Sequence, residues 1–187
     1  MKLFNNTQSG RSMVEMLGVL AIIGVLSVGG IAGYSKAMNK YKINQTIDII
    51  SKTLIKFTEL RTNPGNSDLW RTDTVAAGVL EGLTCDEDGV CQIPFGSISV
   101  YYNLIQPAIN SSNNAEVCID LLSHYWEKQS SESINRIFVR KVNGDITPLY
   151  SIDGSAGKIN YTLSDIQSAC SESCVSGSNC YPSIELR

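Results

Sequence analysis

The chain has a single histidine, His124, and no CxxC pair, no GxSxG elbow and no phosphate-binding glycine loop. Acyl-transfer and nucleotide chemistry are usually announced by those spacings, and a structural zinc site by closely spaced Cys or His ligands. Lys and Arg number 15 against 18 Asp and Glu, a formal net charge of −3, so no broad basic field asks for nucleic acid. No internal repeat and no low-complexity tract interrupts the chain. Cysteine is absent before Cys85, and charge is absent from Met16 to Tyr34. Together these absences argue against an enzyme and against a bound cofactor.

The uncharged run MLGVLAIIGVLSVGGIAGY approaches the roughly 20 apolar residues that a helix needs to cross a bilayer. Glu15 stands alone at its mouth. An acid inserted there costs on the order of 2.5–3.5 kcal/mol at mid-depth, so an intramembrane carboxylate is by default functional and needs a partner. Gly18, Gly24, Gly29, Gly30 and Gly33 punctuate the run. Gly29 and Gly33 have the GxxxG spacing that lets two helices approach closely.

Beyond Tyr34 the pattern changes. Ile43, Ile47, Ile50, Leu54 and Phe57 recur at spacings of three and four, the stripe of an amphipathic helix. Asn63-Pro64-Gly65 is a strong stop. The spacing predicts one helix over 12–62, apolar over 13–34 and amphipathic over 35–62, followed by a head over 63–187. Lys36, Lys40 and Lys42 lie just after the apolar run, and by loop-charge bias alone they would mark the cytoplasmic side.

In the head, Thr72 or Asp73 is expected to cap a short helix through Val75, Val79 and Leu80, ending at Gly82. Ser97–Leu104 reads as one strand. Asn114 is expected to cap a helix with Val117, Cys118, Leu121, Leu122 and Tyr125 on one face. Arg136–Val142 and Asp145–Tyr150 read as a hairpin around Asn143-Gly144, with Pro148 marking an edge. Asp153-Gly154 is a further turn before Lys158–Tyr161. Thr162 and Asp165 form a capping box for a helix to Cys170. The fold class is α+β: a long amino-terminal helix, membrane-spanning in its first half, with a small antiparallel-sheet head and short helices.

The six cysteines, Cys85, Cys91, Cys118, Cys170, Cys174 and Cys180, all fall in the head. An even number in an exported chain suggests disulfides, although 15 connectivities are open. Short loops favour Cys85–Cys91 and Cys174–Cys180, leaving Cys118 to Cys170, with Cys118–Cys180 as the competitor. Asp86, Glu87 and Asp88 miss the spacing of an EF-hand and read as a solvated loop tip. His124 reads as a packed or surface residue.

The residues SG-RSMVEMLGVLAIIGVLSVGGIAGYSKAMNKYK resemble the amino terminus of type IV pilins and of type II secretion pseudopilins. That resemblance covers about residues 1–60. It implies a leader over 1–10, removed by a prepilin peptidase between Gly10 and Arg11, which makes Glu15 the fifth residue of the mature chain. Arg11 departs from the family, which usually places Phe, Met or Leu after the cut. The resemblance further implies N-methylation of the new amino terminus and a pilin-like fold. The helix would wait in the bacterial inner membrane, and an assembly platform there would help copies of the chain stack into an extracellular filament. Such fibres serve adhesion, aggregation, motility, DNA uptake or conjugation. The long Cys118–Cys170 clip resembles the carboxy-terminal disulfide loop of pilins. Glu15 is expected to meet the Arg11 amine of a neighbouring copy and set the register of assembly. Two alternatives stay open: a type II secretion pseudopilin, and a single-pass envelope or secreted binding protein with an intact amino terminus or a cut after Ala37. Pseudopilins can hold calcium near the carboxy terminus, but Glu172 and Glu185 are the only acids available there after Asp165, so that site is not carried over.

Overall fold

A computed structural model describes residues 13–62, 69–124, 133–152, 160–175 and 177–187. The leader residues, the Asn63-Pro64-Gly65 stop, Tyr125 and the Asp153-Gly154 turn lie outside them. The chain divides into two compact units, the first ending at Tyr41 and the second beginning at Lys42. Helix α1 spans Met13–Arg61, where the sequence predicts a helix over 12–62.

In the first unit, α1 buries nothing. Met13, Val14, Leu20, Val25, Leu26, Val28 and Ile31 each expose more than half of their surface. Ser27 satisfies its hydroxyl on the Ile23 carbonyl at 2.7 Å, which hides that donor within the helix's own backbone.

In the second unit, Ile43, Ile50, Leu54 and Phe57 are buried, and Ile47 packs against the core from a partly exposed position. Thr46 and Thr53 share the buried stripe. Their hydroxyls donate back to the Lys42 and Ile49 carbonyls at 2.9 and 2.8 Å, which leaves their methyl groups free to pack.

The sheet is antiparallel and six-stranded, in the order β1-β2-β3-β6-β4-β5. Its strands are β1 (Cys91–Ile93), β2 (Gly96–Tyr101), β3 (Leu104–Ile109), β4 (Ile134–Arg140), β5 (Ile146–Ser151) and β6 (Tyr181–Leu186). Four of these depart from the sequence reading. The strand expected over Ser97–Leu104 is instead a hairpin, because the chain reverses at Tyr102-Asn103. Tyr102 takes φ +53°, and its N–H donates to the Leu69 carbonyl at 2.7 Å. Strand β1 was not predicted; it meets β2 at Gly96, where a Cβ would come within 2.0 Å of the Ala108 carbonyl oxygen. Only glycine fits that approach.

Strand β6 was also not predicted, and it lies in the interior of the sheet although Pro182 lacks an N–H donor. On its β3 side the ladder runs only through Glu185 and Ile184, with a separate bridge between Ile109 and Cys180. Pro182 falls in the gap, where a missing N–H is tolerated.

The β4–β5 hairpin turns through Val142-Asn143-Gly144. Gly144 sits at φ +92°, and the Lys141 N–H reaches the Asp145 carbonyl at 2.8 Å. The strands start and stop about two residues from the predicted limits at β4 and about one at β5, within the usual boundary error. Pro148 lies in the edge strand, beside an irregularity at Ile137/Phe138, as its missing donor requires.

Helix α2 spans Arg71–Ala76, shorter and earlier than expected. The Asp73 carboxylate accepts the Trp70 N–H at 3.0 Å, and Gly78 at φ +76° ends the element, leaving Val79 and Leu80 buried in the following turns. Thr74 ties it to β2 by donating to the Val100 carbonyl at 2.8 Å. Helix α3 spans Asn114–Leu122 with Asn113, not Asn114, at the cap position. Asn114 is buried, and its amide donates to the Ser178 carbonyl at 2.5 Å. Helix α4 spans Leu163–Ser173, past the predicted end at Cys170, with the Thr162/Asp165 capping box formed.

Phe57 is fully buried. Phe57→Ala should therefore destabilise the head by about 3–5 kcal/mol. Urea denaturation of the full chain in detergent checks this; a change under about 1 kcal/mol would mean that the stripe is not core.

Candidate functional site

Glu15 lies in the first turn of α1 and is exposed within the single copy. No side chain of the described residues forms an ion pair with it. Gly29 and Gly33 share this stretch, and a Cβ built on either meets nothing within 4 Å. The same is true of Gly18, Gly24 and Gly30. Nothing among the described residues of one copy therefore crowds these positions. Gly10 and Arg11 lie outside the described residues.

The head is stapled three times. Cys85 joins Cys91, Cys118 joins Cys170, and Cys174 joins Cys180. The Cys118–Cys170 link fastens α3 to α4 across a sequence separation of 52. In chain-entropy terms such a closure stabilises by about 4 kcal/mol. The sulfurs of Cys118, Cys170 and Cys174 lie within 4.8 Å of one another, a spacing that suits a metal. Each is committed to a disulfide, so none offers the thiolate that zinc requires.

The acidic loop is built rather than loose. The Asp86 carboxylate accepts the N–H groups of Asp88 and Val90 at 3.1 and 2.8 Å. Gly89, at φ +73°, rests on the Arg71 backbone, where a Cβ would come to 2.6 Å. Asp86, Glu87 and Asp88 are exposed. His124 is an exposed turn residue at the end of α3.

Two clusters escaped the sequence reading. Trp70, Tyr101 and Tyr102 have ring centroids 5.5–6.0 Å apart. The Arg71 guanidinium lies 4.8 Å from the Tyr101 ring and 5.5 Å from Trp70, a cation–π arrangement. The paired tyrosines in sequence were the available signal, but reading them inside one strand hid the turn. The second cluster centres on Glu185, whose side chain is 13% exposed. It pairs with Arg136, whose Nε donates at 2.9 Å, and accepts from the Asn135 amide at 2.9 Å and the Asn103 amide at 3.4 Å. No local pattern announces this cluster, because its members come from three separate stretches of chain.

Lys56 holds the Glu81 carboxyl below its ordinary range, by a hydrogen bond first and by charge second. A lowered folded-state pKa contributes stability at neutral pH, which is lost as the pH falls through that value. Lys56→Met should therefore move the Glu81 titration midpoint upward in an NMR pH series; an unchanged midpoint would refute the pairing. Glu185→Ala should cost about 1 kcal/mol by leaving partly buried donors unanswered, whereas Glu185→Gln should cost less, read by the same denaturation.

No family model matches the chain, and no solved structure matches it. Among curated proteins it is similar to the type IV major pilin protein PilE of Neisseria gonorrhoeae. The two are 25% identical over 160 residues, which are 83% of this chain and 90% of that protein. With the similarity running through most of both chains, and an apolar amino-terminal helix preceding an antiparallel α+β head, this protein is type IV pilin-like in sequence and in fold.

Proposed function

We propose that this protein is the structural subunit of a bacterial type IV filament. The similarity to a type IV major pilin supports the class. One observation carries the reading to assembly: the apolar window of α1 is long enough to span a membrane, and 0% of it is buried within the chain. Each large apolar side chain left in water forgoes about 1.5–3 kcal/mol, so a wall of them is not viable in solution. It needs lipid or other copies of itself.

In this reading a prepilin peptidase cuts between Gly10 and Arg11, and the apolar segment holds the subunit in the inner membrane. The assembly platform then passes copies into a filament with the heads outside. Glu15 in the segment answers the new α-amino group at Arg11 of a neighbour. A carboxylate in an apolar bundle is tolerable only when paired, and the Arg11 guanidinium adds a second positive group. Gly29 and Gly33, with open space around each Cα, suit close helix contact between copies. Adhesion, aggregation, motility, DNA uptake and conjugative contact are all uses open to such a fibre.

Mass spectrometry of the chain from envelopes and from sheared fibres tests the reading. A mature chain starting at Arg11 and recovered from sheared fibres is the expected result. A chain starting at Met1 or Met38 would overturn it, and an Arg11 start confined to the envelope would favour a secretion pseudopilin. Glu15→Val should leave the subunit in the membrane and lower fibre yield by about tenfold or more, because the Arg11 amine of a neighbour then goes unanswered; a yield equal to wild type would remove the register role.

A further inference from the structure

We propose that the head carries two complementary charged surfaces that dock one copy of the chain to the next. A cleft lined by Arg61 and Arg187 takes the carboxylates of Glu87 and Asp88 from a second copy. This rests on the filament reading above and names a contact within it.

The cleft has a volume of about 200 Å³ and is lined, among the described residues, by Thr58, Arg61, Thr62, Ser133, Leu186 and Arg187. It lies where α1 ends, β4 begins and β6 ends. Two guanidiniums line it, and among the described residues no side-chain carboxylate does. Neither arginine forms an ion pair among the described residues. Nη1 of Arg61 is shut off from solvent and has no hydrogen-bond partner. The hydroxyls of Thr58 and Thr62 already donate to the Leu54 and Glu59 carbonyls, at 2.7 and 2.6 Å. The free donors are therefore mainly the guanidinium N–H groups. Their fixed forks match a carboxylate.

The matching acid is on the same chain. Glu87 and Asp88 are exposed, and neither pairs with a cation among the described residues. The loop that bears them is closed by Cys85–Cys91, tied by the Asp86 carboxylate and seated on the Arg71 backbone through Gly89. Such a knuckle is ordered before it binds, which saves the entropy of fixing a free loop. It adjoins edge strand β1, and none of its residues lines the cleft. Knuckle and cleft are thus different patches of one surface. A contact between unlike patches is heterologous and propagates from copy to copy, where a self-complementary patch would stop at a dimer. Opposite charge also fixes register and rejects wrong alignments.

The test uses the full chain in cells that display the fibres. Glu87→Arg with Asp88→Arg, and separately Arg61→Glu with Arg187→Glu, should each lower sheared-fibre yield by about tenfold or more, since like charges then face each other. Membrane levels of the chain, read by immunoblot, should stay at wild type. All four changes together should restore the yield. Wild-type yield from either reversed pair, or no recovery in the combination, overturns the proposal. An effect of the arginine changes alone means that another anion fills the cleft, and overturns it too. As a check independent of charge, Asp88→Cys with Arg187→Cys should give disulfide-linked ladders from oxidised fibres; fibres that yield only monomers count against the contact. Absence of fibres from the unmodified chain would overturn the filament reading itself, and this docking with it.

Discussion

Strand β6 is the constraint on which the head depends. It pairs with β3 on one side and with β4 on the other, so it alone joins the β1-β2-β3 meander to the β4-β5 hairpin. Without it there are two small ribbons, each marginal in water. Ile184 on β6 is fully buried, and Glu185 beside it gathers Asn103, Asn135 and Arg136 from the strands and turn around it. Cys174–Cys180 ties the start of the strand to the end of α4. As the last strand in the chain placed in the middle of the sheet, β6 makes both of its ladders with segments far away in sequence, the kind of pairing that slows folding. Disulfides that bracket its approach limit the conformations the chain must search before that closure.

The other large constraint is solvent. Helix α1 carries two patterns in one continuous element. Over its first part the apolar residues surround the helix; from Lys42 onward they gather into a stripe that includes Ile43, Ile50, Leu54 and Phe57. A helix that is apolar all round belongs in lipid or in a bundle, whereas a striped helix belongs on the surface of a globular core. The change of period thus marks a change of environment along a single helix. The glycines fit the first environment only, since no neighbour within the chain crowds them.

The head's surface has an uneven character that follows from how it is stapled. Short closures such as Cys85–Cys91 contribute roughly half the chain-entropy stabilisation of Cys118–Cys170. They also fix local shape, here an acidic knuckle that the Asp86 carboxylate ties further. The aromatic set at Trp70, Tyr101 and Tyr102 is held in a comparable way, by Arg71 and by the Tyr102 turn.

Much of the local structure was legible from residues a few places apart. The stripe to Phe57, the Thr162/Asp165 capping box, the Asn143-Gly144 turn and the edge position of Pro148 each follow from spacings or from missing donors that act within one turn or one strand. Glu15 and the apolar run could be read in the same way, because charge and hydropathy need no folding to be seen. The reversal at Tyr102, the short strand β1, the interior place of β6 and the Glu185 cluster could not. The choice between Cys170 and Cys180 as the partner of Cys118 was also left to the fold. These depend on which faces remain uncovered once the helices and hairpins exist, and on residues brought together from far apart in the chain. Period and capping are local free energies and are written in the sequence; strand order and buried polar pairing are settled only when distant segments compete for the same core.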